Sequence, residues 1–224
     1  MTSLRRIRVW DLPTRAFHWT LALLAAFSFT TGKLGGAWME WHLKSGYAIL
    51  TLVVFRIAWG FAGGETARFR HFVRGPRVAW TYARGLAART HARAFGHNPL
   101  GGWMVVVMII AFALQAVSGL FSDDEISTQG PLAVKVSNAM VSRMSALHSY
   151  NEWLLVGLVV LHVIAIATYA FALRTPLVGA MVHGWAEIPA GAAEPRDVPA
   201  WRALVLLALA AAFVYWLVVI YPKA

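Results

Sequence analysis

Cysteine is absent from the 224 residues of this chain. That absence excludes disulfides, iron–sulfur clusters, thiolate ligation and covalent attachment of a haem through C-x-x-C-H. Any redox centre must be held by His, Met or carboxylate groups, without a covalent link. Charge is scarce as well: 13% of residues are charged against 59% hydrophobic, and the mean hydropathy is +0.59. A soluble domain of this length needs far more polar surface, so lipid is the expected solvent. Acidic residues are scarcer than basic ones, ten against twenty. The Arg excess gathers in the first fifteen residues and again between Arg68 and Arg93, which suits phosphate headgroups on one membrane face. Nucleic-acid binding is the rival reading of a basic protein, and the long apolar segments argue against it.

What the chain has in abundance is apolar helix. A hydrocarbon core of roughly 30 Å needs about 20 apolar residues per crossing. Five segments approach that length, from about Ala16 to Thr31, Ser45 to Ala62, Gly102 to Phe121, Tyr150 to Leu173 and Trp201 to Tyr221. The fold class expected is therefore all-α, a polytopic membrane bundle. The first segment also invites a signal-peptide reading, but no small-x-small cleavage site follows it, and His and Trp begin the run. Eleven Trp, several near the ends of these segments, fit interfacial belts.

Five crossings would put the termini on opposite faces, and the connecting loops divide the cations about fourteen to five. The positive-inside rule then predicts a bacterial inner-membrane protein with its N-terminus in the cytoplasm and its C-terminus in the periplasm. Asp123, Asp124 and Glu125 fall on the periplasmic side. On the cytoplasmic side, Gly75-Pro76 opens a stretch in which Val78, Trp80, Tyr82 and Leu86 alternate with Arg77, Arg84 and Arg89, the pattern of a helix lying on the headgroups. Asn98-Pro99 reads as an N-cap and first-turn proline for the third span. The segment from Pro176 to Pro199 reads as an irregular connection.

Ionisable groups at membrane depth are costly and point to function. Of eight His, four lie in or at the ends of spans: His18, His42, His148 and His162. His71, His91, His97 and His183 fall in the presumed cytoplasmic segments, where structural or solvent-facing roles are expected. His148 and His162 are fourteen residues apart, a rise of about 21 Å on an α-helix. Fourteen steps of about 100° end only about 40° short of four turns, so both imidazoles share one face at different depths. Depth selects their partners: His42 with His148 on the periplasmic side, His18 with His162 on the cytoplasmic side. Two such bis-His pairs in a bundle core make a double haem site. The alternative is that these imidazoles only hydrogen-bond between helices. Arg56, fourteen residues after His42, falls on the same face and suits a haem propionate; a side chain snorkelling to the headgroups is the competing reading. Gly46, Ser149 and Gly157 leave room for a flat macrocycle, though small residues serve ordinary helix packing equally.

At these residues the chain resembles the bacterial cytochrome b-561 family, which includes the b-type cytochrome subunits of nickel-dependent hydrogenases. The matching stretches are WDLPTRAFHW from Trp10 to Trp19, HLKSGY from His42 to Tyr47, FRIAWG from Phe55 to Gly60, GHNPLGG from Gly96 to Gly102, and the His148/His162 pair. They cover roughly residues 7 to 184. The resemblance implies a four-helix bundle with two non-covalent haems b on four axial His, which would be His18, His42, His148 and His162. It also implies quinone as a substrate. The expected division is a di-haem domain over 1–184, a connection over 185–200 and an additional C-terminal helix over 201–224. That fifth helix carries no haem ligand and is assigned packing or partner docking.

Two axial His leave no open position for oxygen chemistry at the iron, so electron transfer is the expected activity. The expected route joins the quinone pool to a periplasmic partner, a c-type cytochrome, a dehydrogenase or a hydrogenase. A basic cytochrome docking on Asp123–Glu125 is one such arrangement. A superoxide:quinone oxidoreductase and a transporter using His as proton relays are the alternatives. Membrane lipid surrounds the protein, and whether it forms a homo-oligomer stays open.

Overall fold

The structure, a computed structural model, describes residues 4–88, 96–126, 128–175, 177–189 and 194–223. In chain order it runs β1 (Leu4–Arg8), α1 (Leu12–Leu34), α2 (Met39–Ala62), α3 (Phe69–Phe72), α4 (Pro76–Ala87), α5 (Pro99–Leu120), α6 (Asn138–Phe171), α7 (Leu177–His183), β2 (Trp185–Pro189) and α8 (Trp201–Tyr215). A π-helical turn, Trp216–Ile220, continues α8. Among the described residues four helices are long and apolar enough to cross a membrane: Gly36–Ala62, Pro99–Leu120, Asn138–Phe171 and Trp201–Lys223. The chain is thus a multi-pass membrane protein with a predominantly helical fold.

The first expected span forms as a helix, α1, of 23 residues. It is long enough to cross but falls short in apolarity, because Arg15, His18, five hydroxyl-bearing residues and Lys33 interrupt its Leu and Ala. Two of its hydroxyls find partners within the helix. Thr30 Oγ1 donates to Ala26 O and Thr31 Oγ1 to Phe27 O, both at 2.9 Å, which satisfies them within the helix.

Two other expectations are corrected. The second and fourth helices begin well before the apolar windows, so His42 and His148 sit inside helices and not ahead of them. The all-α reading also missed a small sheet: β1 pairs antiparallel with β2, Leu4 opposite Pro189 and Arg8 opposite Trp185. The stretch read as an irregular connection therefore contains α7 and β2. Arg6 and Arg8, read as headgroup contacts, lie over the Trp185 ring at 5.7 and 5.4 Å. His91, Arg89 and Arg93 lie outside the described residues.

The chain's contacts group into two compact units, each built from three stretches. The first comprises Met1–Ala16, Ala58–Val107 and Val160–Ala203. Its core joins Ile7, Val9, Trp10 and Ala180, with Met181 and Ala186 packed against them. Gly184 closes this core. Its carbonyl accepts both the Val9 and Trp10 amides, its φ is +90°, and a Cβ there would lie 2.9 Å from Trp10 O. Only glycine fits both conditions. Asn98 caps α5 as its sequence signals, accepting the Gly101 amide at 2.7 Å, while its Nδ2 donates to the Tyr169 hydroxyl. The α4 helix follows Gly75-Pro76 and leaves Val78 and Trp80 exposed, as an interfacial helix requires. Glu65 Oε2 accepts the Arg196 amide at 2.9 Å, which holds its carboxyl below the ordinary value.

The second unit comprises Phe17–Ile57, Met108–Val159 and Leu204–Ala224. One layer of its core joins Ile49, Val53, Ala111, Phe112 and Leu155. The other joins Leu50, Leu120 and Leu132 to Val214 of α8. Lipid is as apolar as these side chains, so water exclusion contributes little here, and close packing plus interhelical hydrogen bonds must hold the unit.

Asp11 concentrates the first unit's polar anchoring. It is 6% exposed, its Oδ1 accepts the Thr14 amide at 2.8 Å as the cap of α1, and its Oδ2 accepts the Trp59 indole N–H at 3.1 Å. Asp11→Ala removes a cap worth about 1 kcal/mol and strands a buried donor at about 1–3 kcal/mol. A loss of about 2–4 kcal/mol is expected, read as a lower thermal unfolding midpoint in detergent; an unchanged midpoint would contradict the assignment.

Candidate functional site

Stretches of α1, α2, α5 and α6 in the second unit build a site around His42 and His148. The two ring centroids are 6.1 Å apart with their planes at 85°. His42 lies in the first turn of α2, and His148 lies in the interior of α6. The His42 Nδ1 is 2.9 Å from the Ser28 carbonyl on α1, and the His148 Nδ1 is 2.9 Å from the Gln115 carbonyl on α5. A carbonyl oxygen only accepts, so each Nδ1 carries the hydrogen and each Nε2 keeps its lone pair. That is how a protein orients an imidazole toward a metal: the second nitrogen donates to a carbonyl and fixes tautomer and plane.

Glycine makes these approaches possible. A Cβ at Gly32 would lie 2.8 Å from His42 Nδ1, and one at Gly119 would lie 2.9 Å from His148 Cε1. Each ring therefore rests on bare backbone of the neighbouring helix. A hydroxyl stands beside each ring nitrogen too, Ser28 Oγ at 3.4 Å from His42 and Ser118 Oγ at 3.2 Å from His148. The same device, a carbonyl, a serine and a glycine, is thus presented by α1 and by α5. Sequence reasoning missed Ser28, Gly32, Gln115, Ser118 and Gly119. The available signal was small and hydroxyl residues about a turn apart in otherwise apolar helices.

The donor set fits a haem b. Metal–imidazole bonds of about 2.0 Å, with about 1.1 Å from Nε2 to ring centre, separate two axial imidazole centroids by about 6 Å, which is the spacing observed. A Cβ at Gly46 or Gly157 would meet nothing within 4 Å, so both positions border open space. Among the described residues no three His, Cys, Asp or Glu side chains come together as a metal cluster. Two imidazoles suit an iron whose remaining ligands arrive with a porphyrin.

The other sequence candidates separate into groups. The α6 helix runs unbroken through His148 and His162, so their spacing and shared face stand as helix geometry. His18 packs edge-on against Trp19 with centroids 5.0 Å apart. His18 and His162 belong to different units, and their pairing rests on the sequence argument from depth. Arg56 is 2% exposed, which does not suit a side chain snorkelling to headgroups. His71 lies 3.4 Å from Glu65, His97 packs against Trp10 and Phe72, and His183 accepts the Trp185 amide at 3.0 Å. These three serve the first unit's structure. His71 and His97 also line a cavity of about 190 Å³ with Glu65, Phe72 and Glu194. In the acidic loop, Asp123 Oδ1 accepts the Glu125 amide, Asp123 Oδ2 accepts from Gln129, and Asp124 accepts the Ile126 and Thr128 amides. Those two carboxylates brace their own loop while keeping their charge.

Comparison with known proteins agrees with the geometry. The profile described as prokaryotic cytochrome b561 matches residues 9–184. The probable Ni/Fe-hydrogenase B-type cytochrome subunit of Azotobacter chroococcum mcd 1 is 25% identical over 210 residues, covering 80% of this chain and 88% of that protein. The protein of the same description from Azotobacter vinelandii is 24% identical over the same length. No solved structure matches significantly.

A methyl group at Gly119 tests the site directly. The His148 ring cannot swing away from it without leaving the Gln115 carbonyl. Gly119→Ala should therefore displace the imidazole and lower the haem bound per chain in a pyridine haemochrome assay. Full haem content with an unaltered spectrum would show that the close approach is unimportant.

Proposed function

The chain belongs to the prokaryotic cytochrome b561 family, a membrane b-type cytochrome of electron transfer, and from that premise we propose that it carries electrons across the bilayer on two haems b, between the quinone pool and a redox partner at the periplasmic face. The observation that carries the reading is the His42–His148 pair, with both Nδ1 atoms committed to carbonyls and both Nε2 atoms left as donors. A haem bound there supplies a one-electron iron centre.

The rest is done by the chain's own residues. His42 and His148 would hold the haem iron between them, and with both imidazoles bound the iron would offer electron transfer with no position for oxygen or peroxide. Ser28 and Gln115 hold the imidazole planes, so little ligand motion accompanies a change of charge. Leu155, Phe112 and Val53 line the neighbouring core and keep water out. His18 and His162 form the inner axial pair by depth in the sequence, and α6 contributes to both pairs. Arg56, on the face of α2 that carries His42, suits the propionates of the inner haem by its burial and its fixed charge. Gly46 and Gly157 border open space that would leave room for a flat macrocycle. In this reading α1 crosses the membrane as a fifth span, with the N-terminus cytoplasmic and the C-terminus periplasmic.

The two Azotobacter relatives are described as hydrogenase cytochrome subunits, which supports a hydrogenase as the partner ahead of a soluble c-type cytochrome or another dehydrogenase.

The dithionite-reduced purified protein should show b-type bands at two haems per chain. His148→Ala should remove the outer haem and His162→Ala the inner one, each leaving the other spectrum in place. A protein without haem bands would return the transporter alternative. Rapid reduction of the haems by superoxide, passed on to quinone without a partner, would favour the oxidoreductase.

A further inference from the structure

We propose that Gln115 and Asn151 form a clamp that fixes the His148 imidazole and thereby lowers the reduction potential of the outer haem; this rests on reading His42 and His148 as an axial pair. Gln115 is gripped twice from α6. Its backbone carbonyl accepts the His148 Nδ1–H at 2.9 Å, and its side-chain Oε1 accepts from Asn151 Nδ2 at 2.8 Å. The same Asn151 amide donates to the Ala111 carbonyl, one turn earlier on α5, at 2.9 Å. Asn151 is three residues after His148, so ring and amide project from one side of α6 onto a single turn of α5.

Burial gives the clamp its force. Asn151 is 4% exposed among Ala111, Phe112 and Leu155, so its amide has no water to turn to. Losing either bond strands a polar group in an apolar layer, and α5 and α6 cannot slide past each other without that loss. The His42 cradle shares the carbonyl, serine and glycine but not the brace: its carbonyl belongs to Ser28, which has no side-chain amide to be gripped as Gln115 is by Asn151. The clamp therefore acts on one axial ligand of one haem.

The sign follows from ligand chemistry. A strong Nδ1–H···O=C bond moves electron density toward Nε2 and makes it a better donor to ferric iron. A better donor to the ferric state disfavours reduction, so the clamp lowers the potential and its removal raises it. Gln115 and Asn151 act through the His148 imidazole; they are positioning residues.

The test uses full-length protein in detergent with both haems loaded, titrated potentiometrically by absorbance, with ferric EPR as a second readout. Gln115→Leu keeps the carbonyl that receives His148 and deletes only the clamp's side-chain contact. Asn151→Leu removes the other half at similar volume. Each should raise the outer midpoint by a three- to tenfold change in the oxidised-to-reduced ratio, about 30–60 mV at 59 mV per tenfold. The inner haem should not move, and the double variant should shift no further than a single one. The EPR anisotropy of the outer haem, which reports the angle between the imidazole planes, should change with the midpoint. An unmoved outer midpoint, equal shifts in both haems, or additive shifts would each overturn the clamp. If Asn151→Leu does not accumulate, Gln115→Leu alone is judged on the same criteria. Haem-free wild-type protein would instead sink the two-haem reading, whereas two intact haems with unshifted variants would sink only the clamp.

Discussion

The hydrogen bond from an imidazole Nδ1 to a helix carbonyl is the interaction on which the candidate site depends. Ser28 and Gln115 lie within helices, where their carbonyls already accept an amide four residues on, and a carbonyl has a second lone pair to offer. Using that lone pair satisfies a polar ring where water is missing and costs the helices nothing in their own bonding. It also decides the tautomer. With Nδ1 as donor, Nε2 must be the acceptor or the metal ligand, so a structural need and a chemical one are met by the same contact. Gly32 and Gly119 follow from it, because only a helix surface without Cβ lets an imidazole come down onto a carbonyl beside it.

The logic runs outward from that contact. A ring locked on one neighbour fixes the rotation of the helix that bears it, so His148 determines which face of α6 looks inward. Fourteen residues on, the same face carries His162, and on α2 the same interval separates His42 from Arg56. Once His148 is oriented, the direction of His162 from α6 is a matter of helical period. The apolar layers of Ile49, Val53, Phe112 and Leu155 then complete the packing.

How much of this could be read in the sequence depends on the range of the interaction. The His spacing is local to one helix, so period and rise were legible. The Asn98 cap was legible for the same reason. The starts of α2 and α6 were not, because their first two turns carry Glu40, Lys44 and Arg143, which look like loop in a hydropathy window. They are helical nonetheless, with Lys44 donating to Glu40 at 2.6 Å one turn back. The β1–β2 pair was hidden more deeply. Each strand has five residues, one rich in Arg and one containing Pro, and their register joins positions more than 170 residues apart. Gly32 and Gly119 were invisible as partners of His because a glycine in an apolar helix has many uses, and only the neighbouring ring shows which applies.

The helix that misses the apolarity expected of a span is α1, and this is no accident of composition. It presents Ser28 and Gly32 to His42, carries His18, and begins at the Asp11 cap that receives Trp59. Each of those duties substitutes a polar or small residue for a Leu. A helix with fewer duties, such as α8, can be nearly all Ala, Leu and Val and contributes only packing through Val214. Hydropathy and function thus pull in opposite directions along one chain, since groups placed at membrane depth for chemistry subtract from the signal that would identify the span. Local compensation is what makes the low value tolerable: Thr30 and Thr31 return their hydroxyls to carbonyls of their own helix, and Ser28 faces an imidazole. In a bundle of this kind the least hydrophobic long helix is therefore the first place to look for the machinery, and here it holds one side of the His42 cradle.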